Sequence, residues 1–574
     1  MALDSKTYGA TPSSSRFSVI RTGTGDLELL SAGNLSMDSL YGVYTAGTSS
    51  TATTAGDPYN QPRALGTGAT VLNDPGSYFE QFVNGSGTSL YRAWYPEAGG
   101  NLRVSAGGDL TGNISSTAND SRAWPNPKDN GQDSAEVGNW LWRQGSGDVA
   151  TGGSAQPVAW WINFGTYAAN GSADRMLGFT GFGTLGGGNL ELNVGGDAGI
   201  LQRLTDSAGA STVAPRSQGL VLAVGSTGRV ASDGSLQLTG GGDLRVNIAG
   251  ALNPASNLVI EHRNGVVVNL RGSSHLQSAS LGSIDLHYGG TAVDHNPSEA
   301  RAFDPLRATR GLAQGGLTLV PGDATFNLQS RGDLVVQNVE DPGRVRQFNT
   351  ALFSRGSQQG SGRSWFTLWT ERTAIDLMSL GGNLTPLTSP GSTDLAVVYP
   401  SILRAVAASG SLYYGKAASA QVGDLNYRVP LFLAPGAAGQ LQFLAQDSIY
   451  AGGFTVSQSG AAAASVATPW RPAFVGSIEG EVVASNLSVN GNPVIGSILP
   501  LFAFGSGSVS GLVAGPADPA RFYAVNGDLM GVNSGRIITF GQAASQLHSG
   551  QTWYEGSRPV WMICLLYTSP SPRD

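Results

Sequence analysis

Outside its last eleven residues the chain has no cysteine; the single one, Cys564, falls inside that tail. A disulfide scaffold and a thiolate metal site are therefore excluded. Lysine is nearly missing too, confined to Lys6, Lys128 and Lys416. Charged residues make up 13% of the chain, the formal net charge is −7, and no polybasic stretch occurs. This argues against nucleic acid as a partner and against a basic membrane-binding patch. No apolar run reaches the roughly 18 residues of a membrane-crossing helix, so the chain is not read as membrane-embedded. The stretch Met1-Ala2-Leu3-Asp4-Ser5-Lys6 has neither a basic n-region nor an apolar h-region. Sequences that carry chemistry are equally scarce. There is no Gly-x-Ser-x-Gly elbow, no His-Glu-x-x-His, no Walker A phrase, no EF-hand loop and no calcium-binding nonapeptide.

What the chain has in excess is glycine, 82 of 574 residues, about twice the usual share. Much of it belongs to one recurring phrase. It reads Gly99-Gly100-Asn101-Leu102-Arg103-Val104-Ser105-Ala106-Gly107-Gly108-Asp109-Leu110, and returns at Gly187-Gly188-Asn189-Leu190 through Asp197 and at Gly241-Gly242-Asp243-Leu244 through Ile248. Looser copies begin at Gly25, Gly332, Gly439 and Gly527. Gly-Gly makes a corner, and the following Asp or Asn can bond nearby backbone and hold the turn. Strict alternation then puts Leu102, Val104 and Ala106 on one face and Arg103 and Ser105 on the other, which is a strand with one buried and one wet face.

Val246-Asn247-Ile248 precedes Val268-Asn269-Leu270 by 22 residues, and Ser235–Leu238 precedes Asn257–Ile260 by the same interval. A period of roughly 20–25 residues is that of solenoid rungs, and it predicts that Asn247 stacks on Asn269. Chance likeness among Gly-rich hairpins is the alternative. The fold class expected is all-β: an elongated parallel β-helix (β-solenoid) with loop insertions. At about 22 residues and 4.8 Å per rung the rod would be on the order of 120 Å long. An outer-membrane barrel is excluded, because its strands need about 9–11 residues.

Along the chain, residues 1–114 read as first rungs with a polar insertion at about 56–98. Residues 115–185 read as a Trp-rich insertion, 186–340 as the main solenoid stretch, 341–380 as an irregular or short helical insertion, and 381–563 as further rungs. Residues 564–574 match the translation of a transposase-type sequencing adapter and are set aside as non-biological, which implies a metagenomic gene fragment.

Together, Thr22-Gly23-Thr24-Gly25-Asp26-Leu27, Trp160-Trp161-Ile162-Asn163-Phe164-Gly165-Thr166, the Gly-Gly-Asp-Leu phrases, and Gly550-Gln551-Thr552-Trp553-Tyr554-Glu555-Gly556 leading to Pro559-Val560-Trp561-Met562 resemble the filamentous-haemagglutinin family of large bacterial exoproteins. The likeness is to a Gly-rich region near the C-terminal part of those proteins, and covers most of residues 15–563. It implies a right-handed parallel β-helix and export by two-partner secretion through an outer-membrane transporter. It also implies display at the bacterial cell surface or release, and adhesion to host or neighbouring cells and their glycans. The family's secretion domain is not found in these residues.

The function expected is that of a non-catalytic adhesin segment without cofactor. Two alternatives stay open: the stalk of a contact-dependent growth inhibition toxin, and a β-helix polysaccharide lyase or hydrolase. Two groups of residues bear on the choice. His262, His275, His287 and His295 cluster in sequence near Asp285, Asp294, Glu299 and Asp304, and rung stacking would bring His262 near His287 as a weak metal or acid–base candidate. Trp140, Trp142 and Trp160 could offer flat faces to a sugar or a partner, or could pack the insertion onto the rod.

Overall fold

The computed structural model describes residues 6–7, 16–37, 40–49, 57, 59, 61–64, 82–83, 88–91, 93–112, 137–146, 156–162, 164, 166–170, 173–177, 179, 181–200, 220–253, 265–284, 313–343, 364–387, 397–413, 431–436, 439–450, 454–458, 469–470, 473–474, 488–489, 492–493, 520–527, 529–530, 536–539 and 561–564. Almost all of them lie in strands or the turns between strands; Val137–Trp140 is a single helical turn.

The alternating phrase becomes the central column of a parallel β-solenoid. Leu27–Ser31 pairs with Leu102–Ala106, which pairs with Leu190–Val194, and that with Leu244–Ile248. The column continues through the second halves of Gly265–Ser278 and Leu317–Ser330 to Ala374–Ser379. Ile402–Ala407, Gln440–Ala445, Ala520–Ala524 and Trp561–Cys564 complete it. After each of the first ten of these strands the chain turns into a short second column, from Leu35–Met37 and Leu110–Gly112 to Ile449–Tyr450 and Leu529–Met530. A third column precedes the first in each coil. It runs from Arg16–Thr22 and Leu40–Thr45 through Gly181–Thr184 and Val221–Val224 to the first halves of Gly265–Ser278 and Leu317–Ser330, then to the second half of Leu334–Val339, whose first half is in the second column. In the later coils Val397–Tyr399, Leu431–Gly436, Phe454–Gln458 and Arg536–Thr539 take the same place in chain order as a parallel sheet of their own. Each of the first ten coils therefore has three strands.

Burial explains the two kinds of strand. In the central column Leu102, Val104 and Ala106 point into the coil, stacked on Leu190, Leu192 and Val194 and then on Leu244, Val246 and Ile248. Each fully buried aliphatic side chain contributes about 1.5–3 kcal/mol. The third column reads differently, as near-continuous apolar runs such as Val221-Leu222-Ala223-Val224, all four buried. Leu222 and Val224 face the inner core, while Val221 and Ala223 belong to a second core outside the coil. A parallel sheet covered on both faces has that continuous pattern.

The cover is built from two strands of the Trp-rich insertion and a later hairpin. Leu141–Ser146, Gln156–Ile162, Ser226–Val230 and Leu236–Gly240 form one antiparallel sheet. Its apolar residues share the second core with Tyr44, Val221, Val268 and Val320 of the third column.

The repeat is not 22 residues long. Asn247 stacks on Asn193, its Nδ2 donating to Asn193 Oδ1 at 2.9 Å, and is level with Gln277 on its other side. Asn269 belongs to the third column, level with Val224, where its buried Nδ2 donates to the carbonyls of Gly242 and Ser273. Ser235–Leu238 belongs to the antiparallel cover. The 22-residue interval therefore joined strands of different columns. The copies of the phrase themselves are what stack, at intervals of 75, 88 and 54 residues. The coil is also shorter than expected. Ten parallel pairings at about 4.8 Å give a central column of about 50 Å, because stacked copies of the phrase lie 54 to 88 residues apart rather than about 22. Ala374–Ser379, inside the stretch read as irregular, is a regular strand of that column.

Candidate functional site

Because consecutive coils stack in register, each outward position of the central column becomes a row along the rod. The first row is Glu28, Arg103, Glu191, Arg245, His275, Asn327, Asp376, Arg404, Gln442 and Arg521. Its charges alternate: Arg103 lies 4.0 Å from Glu28, and Arg404 pairs with Asp376 at 2.5 Å. Such exposed pairs are worth at most about 1 kcal/mol each, and they leave the row nearly neutral.

The second row, two residues further along each strand, changes character midway. An exposed Leu30 begins it; Ser105, Asn193, Asn247, Gln277 and Gln329 are polar and uncharged; Met378, Val406, Leu444 and Tyr523 follow. The polar half floors a shallow groove of about 580 Å³. Small residues at the next corner, Gly195 and Ala249 among them, keep one side low, and Arg331 and Leu380 close the end. The Arg331 guanidinium is fixed there, with Nη2 donating to the Ala249 carbonyl at 2.6 Å.

The amides are partly committed to each other and partly open. Asn193 Nδ2 donates to Glu191 Oε1 at 2.6 Å, and Gln329 Nε2 donates to Asn327 Oδ1 at 3.1 Å. Asn247, Gln277 and Gln329 line the groove, with Asn247 and Gln277 exposed. An amide supplies both donors and acceptors.

The corners hold this face rigid. Asn101 N–H donates to Asp26 Oδ1 at 2.7 Å, Asn189 N–H to Asn101 Oδ1 at 2.9 Å, and Asp243 N–H to Asn189 Oδ1 at 2.9 Å. A second ladder, one corner on, joins Asn34, Asp109, Asp197 and the Ala251 N–H by the same bond. The Asp or Asn of each phrase thus reaches the next coil as well as marking its own turn.

The tryptophans occupy packed positions, the second of the two alternatives open for them. Trp140, Trp142 and Trp160 are all buried. Trp140 meets the Phe179 ring edge-on at 5.6 Å, Trp142 meets Trp161 at 6.4 Å, and Trp160 lies 5.9 Å from Phe366. Trp140 and Trp160 belong to the core between the cover sheet and the third column, whereas Trp142 and Trp161 pair on the other face of the cover sheet. His262 and His287 lie outside the described residues. His275 is exposed in the first outward row between Arg245 and Asn327. No group of His, Cys, Asp and Glu able to hold a metal occurs among the described residues. Among the described residues no helix is long and apolar enough to cross a membrane.

Comparison of the chain with protein-family models, with curated proteins and with solved structures gives no match.

Proposed function

We propose that this chain is a non-catalytic segment of a secreted or surface-displayed bacterial filamentous adhesin. In this reading the solenoid is a rod that holds outward side chains in straight rows for attachment to host or neighbouring cells or their glycans. It reaches the surface through an outer-membrane transporter partner. The reading rests on the likeness of its phrases to the exoprotein family, and one structural observation supports it: the register of the central column, which turns isolated polar side chains into continuous rows along the outside. A surface of that kind works by area and repetition, with many weak contacts aligned on one rigid face.

The test is adhesion. The full chain, fluorescently labelled, is incubated with mammalian and bacterial cells and with immobilised glycans, and the same glycans are assayed for cleavage products. Saturable binding without turnover supports the proposal. Release of reducing or unsaturated ends would overturn it in favour of a polysaccharide-degrading β-helix. A folded chain that neither binds nor cleaves would overturn it in favour of a stalk.

A further inference from the structure

We infer that the amide-floored groove of the central column binds a neutral, hydroxyl-rich chain, an uncharged glycan strand lying along the rod axis. The inference rests on the adhesin reading and gives it a site and a ligand class.

Three observations on the groove select this class. First, its floor is uncharged. Ser105, Asn193, Asn247, Gln277 and Gln329 bring hydroxyl and amide groups, and the neighbouring outward row cancels its own charge through Glu28, Arg103, Glu191 and Arg245. Among the described lining residues Arg331 is the one further cation, and its guanidinium donates to the Ala249 carbonyl. A nucleic acid or a sulfated polymer needs a basic stripe, which this face does not supply. A hydroxyl both donates and accepts, as amides do, so a sugar can satisfy Gln277 whichever way its amide is turned.

Second, the groups repeat along the rod. Neighbouring coils are about 4.8 Å apart, so the floor offers a polar group at that step. An extended peptide repeats each side-chain face at about 6.7 Å, twice its rise per residue, and would fall out of step within a few residues. A peptide also gains most of its affinity by adding a strand to an open sheet edge. The strands beneath the groove have partners on both sides, from Leu102–Ala106 through Leu317–Ser330.

Third, the groove is preorganised. Asn247 is bonded to Asn193, Asn193 to Glu191, Gln329 to Asn327 and Arg331 to Ala249, so a ligand has few side chains left to order. Preorganisation removes part of the entropy cost of binding.

The experiment is calorimetric titration of the full chain with short neutral oligosaccharides (gluco-, manno-, galacto- and N-acetylglucosamine series) beside uronate and sulfated oligomers. It is run on the native protein and on Gln277→Ala, Asn247→Ala, Ala249→Arg and Arg521→Ala. Circular dichroism confirms that each variant is folded. At least one neutral series should bind. Gln277→Ala and Asn247→Ala should each weaken it about tenfold. Ala249→Arg, which fills the low side of the groove, should abolish binding, and Arg521→Ala, outside the groove, should leave it unchanged. Neutral binding that survives Ala249→Arg would overturn the site. Binding of the anionic oligomers alone would overturn the ligand class. If cells adhere but no oligosaccharide binds, the inference fails and the adhesin reading stands; if neither binds, both fail.

Discussion

Asn101 and Asn189 are 88 residues apart in the chain, and the side-chain oxygen of the first accepts the backbone N–H of the second at 2.9 Å. The same corner closes a second bond in the opposite sense, from the Leu102 N–H to the Asn189 carbonyl at 2.9 Å. Each coil is thus tied to the next through the residue that follows Gly-Gly, and the interval of chain between them can be of any length.

The tie can be measured at Asp109, whose Oδ1 accepts the Asp197 N–H at 2.8 Å. Asp109→Ala leaves that donor to water and should cost about 1 kcal/mol in urea unfolding. Asp109→Asn keeps the acceptor and should stay within about 0.5 kcal/mol of the native protein.

The glycine beside the tie is constrained from two directions. Gly188 has φ +105°, and a Cβ there would sit 2.5 Å from the Gly100 carbonyl oxygen of the adjoining coil. Gly188→Ala should therefore lower stability by about 2 kcal/mol or more, through strain and clash together. Gly33 has open space around its Cβ position, and Gly33→Ala should change stability by no more than about 0.5 kcal/mol. Thermal unfolding of the two variants side by side checks the contrast.

Tyr399 is fully buried, and its hydroxyl has no hydrogen-bond partner among the described residues. Tyr399→Phe removes an unsatisfied group and should raise stability by about 1 kcal/mol. Burial also pushes the phenol far above its ordinary value of 10.0, so the folded chain keeps this proton where the unfolded chain releases it. The contribution is complete below pH 10 and declines as pH rises beyond it, because there the unfolded state binds fewer protons. Tyr399→Phe should flatten that alkaline decline. Part of it should remain, since burial raises Tyr95 in the same way. Urea midpoints across the alkaline range give the slope.

Inward and outward neighbours on one strand should behave oppositely. Leu192 is fully buried in the central core, and Leu192→Ala should cost about 2–5 kcal/mol. Glu191, its outward neighbour, should tolerate alanine within about 0.5 kcal/mol. Trp160→Ala, in the cover sheet, should cost about 3–5 kcal/mol.

The central column was legible from the sequence because alternation is a local property. Leu102-Arg103-Val104-Ser105-Ala106 specifies its two faces whatever lies above or below it. The phrase also marked the corners correctly, since Gly-Gly followed by Asp or Asn is a turn signal on its own. What misled was the interval between copies. The distance from Val246 to Val268 looked like one rung, but these residues sit on different columns of the solenoid. Likewise the tryptophans could be read as exposed or packed, because nothing local to Trp140 or Trp160 says which sheet will lie against it.

By itself, then, the sequence determined the strands of the central column, their inward and outward faces and the glycine corners, because turn chemistry and side-chain alternation act over a few residues. Only the tertiary structure decided which copies of the phrase stack, that Val221–Val224 is covered on both sides, and that Asn193, Asn247, Gln277 and Gln329 form one row. Those relationships are set by hydrogen bonds and packing between residues tens of positions apart, where insertion length costs little: loop-closure entropy grows only with the logarithm of the loop.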